Sequence, residues 1–328
     1  MVDIALIGAG RIGKIHGGNL ARQAGMRLRY VCDAVPQAAS ELAARLGATV
    51  ASLDQVFADA AIQAVAIASS TDTHAELILR AASARKAIFC EKPVDLDLGR
   101  AREVQAAVAT ARVPCLIGFQ RRYDPTFAAL KRRLDAGEIG EVEILSITSR
   151  DPAPPPIAYI ERSGGIFKDQ LIHDFDVCRW ILGDEAQTVY AAASCLVDPS
   201  IARAGDADTT AVTIRTRKGR LCQINTSRRA AYGYDQRFEV LGSGGMLAAG
   251  NHRPTEVSWH RAGAISVDPP EPFFLERYRS AYAEEMVHFA AVLREGAAPR
   301  TGIEDGIRAL EIAEAATRSS KEGRVIAI

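Results

Sequence analysis

The segment Gly8-Ala9-Gly10-Arg11-Ile12-Gly13 constrains this chain more than any other. It lies between a short apolar run, Val2 to Ile7, and a helix-like stretch reaching about Gln23. Gly8 permits a tight turn out of a strand. Gly10 lets backbone approach a pyrophosphate, and Gly13 lets helix and strand pack closely. The free N–H groups and partial positive charge at the helix start suit phosphate oxygens. A second apolar run, Leu28 to Cys32, ends at Asp33, near the spacing this fingerprint expects. An acid there accepts both ribose hydroxyls of an adenosine and repels a 2′-phosphate, which favours NAD over NADP. The competing role for Asp33 is a turn aspartate ahead of Pro36.

The alternation continues to about Gln120. Helical stretches at 37–46, 73–84 and 98–110 separate apolar runs at 64–68, 87–90 and 113–119. Continuous apolar strands between helices imply a parallel sheet covered on both faces, an N-terminal Rossmann domain over residues 1–120. Ligands of such sheets bind at the carboxyl ends of the strands. Ser69, Thr71 and His74 follow the third apolar run and are candidate cofactor contacts; the same stretch also reads as a helix N-cap. Cys90-Glu91-Lys92-Pro93 follows the fourth. A lysine there can face the reacting end of a cofactor, bond a substrate hydroxyl and stabilise developing oxyanion charge. A snorkelling surface lysine is the plainer alternative.

Beyond residue 120 the pattern changes. A helix over 126–136 precedes an alternating strand, Val142 to Ser149, and a stiff proline loop over 151–156. One helix is expected from Ile166 to Leu182, stopping at Gly183. Strand-like runs near 187–197, 209–217, 220–227 and 236–242 then give a largely antiparallel sheet, and helices over 276–295 and 303–319 close the chain. This second α/β domain spans 121–328, and its closing helices can pack back on the first. On the wheel of the 166–182 helix, Phe167, Leu171, Phe175, Cys178 and Leu182 form a core seam. Asp169, His173 and Asp176 fall on roughly the opposite side, with Asp169 and His173 one turn apart. A carboxylate that orients an imidazole and stabilises its protonated form suits proton transfer. A surface salt-bridge stripe would use the same residues.

Composition excludes several partners. Forty basic and forty acidic residues cancel, so nothing draws the chain to nucleic acid or anionic membrane. Six scattered cysteines form no zinc-ligand spacing, which points to reduced thiols, no metal and a cytoplasmic setting. The N-terminus opens on a strand-like run, with no signal-peptide pattern, and no apolar stretch reaches the ~20 residues a membrane span needs.

At Gly8 to Gly13, Asp33, Glu91-Lys92-Pro93, Gly118 to Asp124 and Gly164 to Asp176, the chain resembles, end to end, the glucose–fructose oxidoreductase/inositol dehydrogenase/MocA family. Ser149 to Pro152 and Tyr232 to Gln236 look closest to its bacterial inositol 2-dehydrogenase branch. The resemblance implies a Rossmann domain followed by an α/β domain with an open mixed sheet, and homotetramers packed through those sheets. It implies Lys92, Asp169 and His173 as the catalytic set, and adds Glu91 and Gln120 to the cofactor contacts. Lys92, Asp151, Asp169, His173 and Tyr232 are the expected substrate contacts. The expected reaction is NAD-dependent oxidation of a cyclic polyol, myo-inositol at C2 first, with scyllo-inositol, glucose or an anhydrosugar as alternatives. A non-catalytic NAD-binding sensor is the rival from another class; it would not need both Lys92 and His173. Two departures stand out: Ser69-Ser70-Thr71, where relatives often have Thr-Pro-Thr, and Gln170 after Asp169.

Overall fold

The computed structural model describes the whole chain, Met1–Ile328. Contacts divide it into two units: Met1–Tyr123 with Ser280–Leu310, and Asp124–Arg279 with Glu311–Ile328. The single cut expected at 120/121 therefore becomes a discontinuous division, because Ser280–Leu310 contacts the first unit. Met286, Phe289, Ala290 and Val292 are the reason: they are buried in one cluster with Ile4, Leu6, Phe89 and Leu116.

In the first unit the strands are β1 (Val2–Ile7), β2 (Met26–Cys32), β3 (Thr49–Val50), β4 (Ala64–Ile67), β5 (Ala87–Glu91) and β6 (Cys115–Gly118). They form one parallel sheet in the order β3-β2-β1-β4-β5-β6. Strand order reverses between β1 and β4, the switch point at which doubly wound sheets bind dinucleotides. The intervening helices are α1 (Arg11–Arg22), α2 (Pro36–Leu46), α3 (Leu53–Ala58), α4 (His74–Ser83) and α5 (Leu98–Ala111). Residues of β4 are all buried, as strands covered on both faces must be. Pro36 starts α2 and Gly47, in the left-handed region at φ 67°, ends it. The short β3 and α3 were not expected.

The second unit opens with α6 (Pro125–Asp135), β7 (Val142–Arg150), α7 (Ile157–Ser163), α8 (Gly165–Asp169) and α9 (Ile172–Leu182). It continues through β8 (Ala186–Ser194), α10 (Pro199–Arg203), β9 (Thr209–Thr216), β10 (Leu221–Ser227), β11 (Asp235–Gly242) and β12 (Gly245–Ala249). A separate hairpin, β13 (Ser258–Arg261) with β14 (Ala264–Val267), follows, and then α11 (Phe274–Arg277). After α12 (Arg279–Glu295) and α13 (Ile303–Glu322), β15 (Ile326–Ala327) ends the chain. The seven-stranded sheet runs β12-β11-β7-β10-β9-β8-β15. Only the β7–β10 pair is parallel, so the sheet is mixed and largely antiparallel. Burial alternates along β9 and β10, and along β11 from Gln236 onward. One face is core, through Leu145, Ile147, Val212, Ile214, Ile224 and Val240; the other is open.

The single helix expected over 166–182 is two. The N–H groups of Gln170 and Leu171 both point at Ile166 O, at 3.1 and 2.9 Å. Closing a wider loop on one carbonyl interrupts the regular ladder, as at a π-type turn. The core seam survives, since Phe167, Leu171, Phe175, Cys178 and Leu182 are all buried. What changes is the polar side: Asp169 is the last residue of α8 and His173 the second of α9, so ideal one-turn spacing does not apply.

Buried carboxylates organise the loops of this unit. Asp124 caps α6 by accepting from the N–H groups of Thr126 and Phe127, both at 3.1 Å. Its other oxygen takes the guanidinium of Arg277, and both side chains are fully buried. Asp208 accepts from the N–H groups of Leu196, Val197 and Asp198, at 2.8, 2.9 and 3.1 Å. Burial opposes its charge, but these backbone donors win and hold its pKa at about 2.

Removing one partner of the Asp124–Arg277 pair strands a buried charge, which costs about 3–5 kcal/mol. Chemical denaturation of Asp124→Ala should show a loss of that order. A loss below about 1 kcal/mol, the value of a surface pair, would show that the interaction organises nothing.

Candidate active site

At the glycine turn, each glycine has a separate reason. Gly8 sits at φ 106°, and a β-carbon there would lie 2.5 Å from the carbonyl carbon and oxygen of Ala68. A β-carbon on Gly13 would lie 2.0 Å from Gly8 O, so α1 could not approach β1. Gly10 differs, because no protein atom lies within 4 Å of where its β-carbon would be. This glycine leaves open space instead of relieving a clash. Gly10 also provides no capping side chain, and the first turn of α1 holds no acid. The positive end of that helix dipole is therefore uncompensated by the local chain, which fits a pyrophosphate. Arg11 is exposed and Ile12 half-buried on the same turn.

Asp33 is a turn aspartate and also reaches back to the glycine turn. Oδ1 accepts from Val35 N–H at 2.8 Å, an Asx-type turn, and Oδ2 accepts from Ala9 N–H at 2.6 Å, inside the glycine turn. A carboxylate has about four acceptor positions, so capacity remains for ribose hydroxyls.

Between β4 and α4, the hydroxyl of Thr73 donates to Ser70 O at 2.7 Å and receives that of Ser69 at 2.6 Å. Neither Ser70 nor Thr73 caps a helix with its side chain. Thr71, in the turn Thr71–Thr73, is half-exposed. His74 departs from the expected direct contact. It is 1% exposed, with Nδ1 at 2.7 Å from Pro93 O and Nε2 at 3.2 Å from Ser69 O. Burial lowers its pKa, so the ring is neutral and its single proton goes to the shorter contact. His74 thus ties Pro93 to α4. Glu91 also bonds within the protein: Oε1 accepts from His16 Nε2 at 2.6 Å, and Oε2 from Lys92 N–H at 3.3 Å. Lys92 itself follows β5, half-buried, with a cis bond to Pro93. Gln120 is buried at the start of the turn Gln120–Tyr123.

In the second unit, Asp169 accepts from the hydroxyl of Tyr159 at 2.8 Å. Burial, then the charge of Asp169, raise the Tyr159 pKa, so the phenol keeps its proton and donates. The turn into α8 requires Gly164 and Gly165, at φ 82° and 81°. Behind them Asp206 accepts from Ile166 N–H at 2.9 Å and from buried Arg228 at 3.2 Å. His173 is half-buried in the first turn of α9, between buried Ile172 and Asp174. Asp176, placed with His173 on the expected polar strip, is fully buried. The Gln170 side chain is buried at the break between α8 and α9, with no protein hydrogen-bond partner for its amide.

The remaining expected substrate contacts gather elsewhere. Asp151 N–H is bonded to Ser227 O at 3.0 Å. The Tyr232 hydroxyl donates to Asp235 at 2.6 Å and accepts from Arg150 at 2.9 Å. Arg150 also bonds Asn225, at 2.6 and 3.2 Å, so Tyr232 belongs to a network across β7, β10 and β11. Sequence reasoning missed Tyr159, Asp206, Arg228 and His16. Their partners are 10 or more residues distant, and only the fold brings them together. His16, the third residue after Gly13, was the most findable of these.

A parallel sheet with this glycine turn, and a second α/β unit holding an acid and an imidazole on successive helices, define a dinucleotide-dependent oxidoreductase. The chain belongs to the GFO/IDH/MocA oxidoreductase family: residues 2–119 match its NAD-binding Rossmann fold, and residues 131–328 its C-terminal alpha/beta domain. An inositol 2-dehydrogenase of Rhizobium meliloti is 47% identical over 100% of this chain and 99% of its own. The structure of a myo-inositol dehydrogenase from Corynebacterium glutamicum superposes with a TM-score of 0.96 at 42% identity, covering 100% of this chain and 99% of that one. A scyllo-inositol dehydrogenase from Lactobacillus casei, solved with NAD(H) and scyllo-inositol, gives 0.93 at 28% identity, with coverage of 100% and 99%.

The two glycine geometries separate fold from binding. Gly10→Ala should leave stability within about 1 kcal/mol, the usual Gly–Ala difference, and weaken NAD at least about tenfold. Gly13→Ala should instead unfold or strongly destabilise the protein. Calorimetric titration and thermal melts of both variants check this; unchanged NAD affinity in Gly10→Ala would remove Gly10 from the cofactor site.

Proposed function

We propose that the protein is an NAD-dependent inositol 2-dehydrogenase that oxidises the C2 hydroxyl of myo-inositol to the ketone, 2-keto-myo-inositol. One observation carries this reading: full-length kinship to inositol dehydrogenases in a chain whose sequence has Lys92, Asp169 and His173. In this reading Gly8, Gly10, Arg11, Ile12 and Gly13 hold the pyrophosphate, with Asp33 at the adenosine ribose. Ser69 and Thr71 contribute from the β4 edge, while His74, Glu91 and Gln120 shape the surrounding turns. NAD, when bound, supplies the nicotinamide that accepts the hydride from C2.

The chain's own residues handle the proton. His173 removes the hydroxyl proton as general base, and Asp169 orients its imidazole and stabilises the imidazolium. Tyr159 fixes the carboxylate of Asp169. Lys92 donates a hydrogen bond to the reacting oxygen, orients it and stabilises the negative charge that builds before the carbonyl forms. Loss of one proton to His173 and one hydride to the cofactor balances the oxidation.

A second reading, scyllo-inositol as substrate, is favoured by the Lactobacillus casei relative. In either case Asp151, Gln170 and Tyr232 are where polyols would be told apart.

We also propose a homotetramer packed through the open sheets. Met246, Leu241, Ile144 and Leu221 are direct cross-strand neighbours on the open face, and Met246, Leu241 and Leu221 are 51, 41 and 40% exposed. An apolar row of this kind is typical of a covered surface. Six unpaired cysteines suit a reducing compartment, consistent with cytoplasmic inositol catabolism. No helix is long and apolar enough to cross a membrane.

His173→Ala should lower turnover by about 10²- to 10⁴-fold, the usual contribution of a positioned base, with NAD affinity nearly unchanged. Near-normal turnover would end the general-base assignment. A panel of myo-inositol, scyllo-inositol, glucose and anhydrosugars, each run with NAD and with NADP, decides the substrate and tests Asp33; absence of any turnover would leave a sensor. Light scattering should give four copies for the parent chain and smaller species for Leu241→Arg. A parent monomer would exclude the tetramer.

A further inference from the structure

The buried side chains behind Lys92 have no part in the reaction just described. His16 in α1, Glu91 at the end of β5 and Glu285 in α12 place one ligand-type atom each within 4.8 Å of one another. His16 and Glu285 are both 0% exposed. Such a trio suggests a metal at first sight, but the His16–Glu91 distance decides against it. Nitrogen and oxygen ligands about 2.1 Å from a tetrahedral ion stand about 3.4 Å apart. Nε2 of His16 and Oε1 of Glu91 are 2.6 Å apart, the distance of a charge-assisted hydrogen bond. A proton, not an ion, joins them.

We propose that His16 and Glu91 are positioning residues for Lys92, and that through them the helix of the glycine turn sets the geometry of the lysine turn. The proposal rests on the reading of Lys92 as catalytic. Glu91 connects the two directly: one carboxylate oxygen receives His16 and the other receives the backbone N–H of Lys92, at 3.3 Å. The carboxylate has little freedom. A β-carbon on neighbouring Gly118 would lie 3.0 Å from its Oε2, so glycine is what leaves it room. The His16 ring is fixed too, packed edge-on against Phe89 at 4.7 Å and Tyr282 at 5.6 Å. On the far side of Lys92, His74 holds Pro93 O at 2.7 Å. Buried imidazoles thus restrain the turn on both sides, and the one on α1 lies less than two turns from Gly10.

Glu285 completes the environment. Burial, then the charge of Glu91, raise its pKa well above the usual carboxylic value, so it stays neutral beside Glu91.

The test uses the full-length enzyme with NAD and myo-inositol. Glu91→Ala and His16→Asn should each lower kcat by about 10- to 100-fold, the cost of misplacing a reacting group by about an ångström, with KM and NAD affinity changed far less. Glu91→Gln, whose amide can still accept from Lys92 and donate to His16, should recover much of the loss. With C2-deuterated myo-inositol, the isotope effect on kcat should rise in the impaired variants, because slowed hydride transfer becomes limiting. A purely structural role would lower the yield of folded enzyme without moving that effect. Parent-like kcat in His16→Asn and Glu91→Gln together with Glu91→Ala, or a fall in NAD affinity equal to the fall in kcat, overturns the proposal. If Glu91→Ala does not fold, the isotope effects of His16→Asn and Glu91→Gln decide alone. Lys92→Ala, measured beside them, separates the two readings: normal turnover there defeats the catalytic role of Lys92 itself.

Discussion

The approach of Gly13 to the carbonyl of Gly8 is the constraint on which the first unit depends. A β-carbon would come within 2.0 Å of that oxygen, so β1 and α1 meet only because residue 13 has none. The consequence extends beyond phosphate binding. With α1 seated this closely, His16 in its second turn reaches Glu91 at the end of β5, two positions along the sheet from β1. One backbone contact therefore sets both the open N-terminus of the helix and the anchor behind Lys92. The apolar packing of His16 against Phe89 and Tyr282 raises the value of that bond, because hydrogen bonds strengthen where water is excluded.

The second unit solves a different problem. Its sheet is covered on one face only, so its long connections run outside a two-sided core. Buried carboxylates fix those connections instead: Asp124 starts α6, Asp206 starts α8 and Asp208 gathers the turn over 195–198. Each accepts backbone N–H groups, and Asp124 and Asp206 also take a buried arginine. Hydrogen bonds to a charged group contribute about 1.5–3 kcal/mol each, and losing one partner costs more than the bond contributes. Asp169 is positioned by this scheme, since Asp206 seats the helix that ends in Asp169.

Sequence patterns reveal the parts of this protein that obey local rules. The glycine turn, the strand ends at Asp33 and Lys92, and the core seam from Phe167 to Leu182 follow from spacing, because strand and helix periods are properties of neighbouring residues. The break at Gln170–Leu171 does not, since nothing in a wheel reports that two N–H groups will share Ile166 O. Tyr159 escaped notice for a related reason: a proline loop hides the short helix that delivers its hydroxyl to Asp169. His74 was legible as a residue near the cofactor edge but not as a bond to Pro93, which requires β5 to lie beside β4. Pairings across 75 residues, such as His16 with Glu91, exist only in the folded chain.

Under the proposed function, the break between α8 and α9 bears on selectivity. Lys92, Asp169 and His173, in the proposed chemistry, all act on one reacting hydroxyl, and every inositol isomer offers that same group. Isomers differ in the orientation of hydroxyls that do not react, so discrimination needs other donors and acceptors. A site built to bond a hydroxyl rejects an analogue lacking it strongly, because its own polar groups are then left unmet. Gln170 has the character such a site requires: its amide is buried and bonded to no protein group, immediately after Asp169. Tyr232 has less freedom, since Asp235 and Arg150 already occupy its hydroxyl as acceptor and donor. Changing Tyr232 disturbs a network that includes Asp235, Arg150 and Asn225, whereas the Gln170 amide has no hydrogen bond within the protein to lose. Under the proposed function, substrate preference should therefore be more readily altered at Gln170 than at Tyr232, because no bond within the protein is lost there.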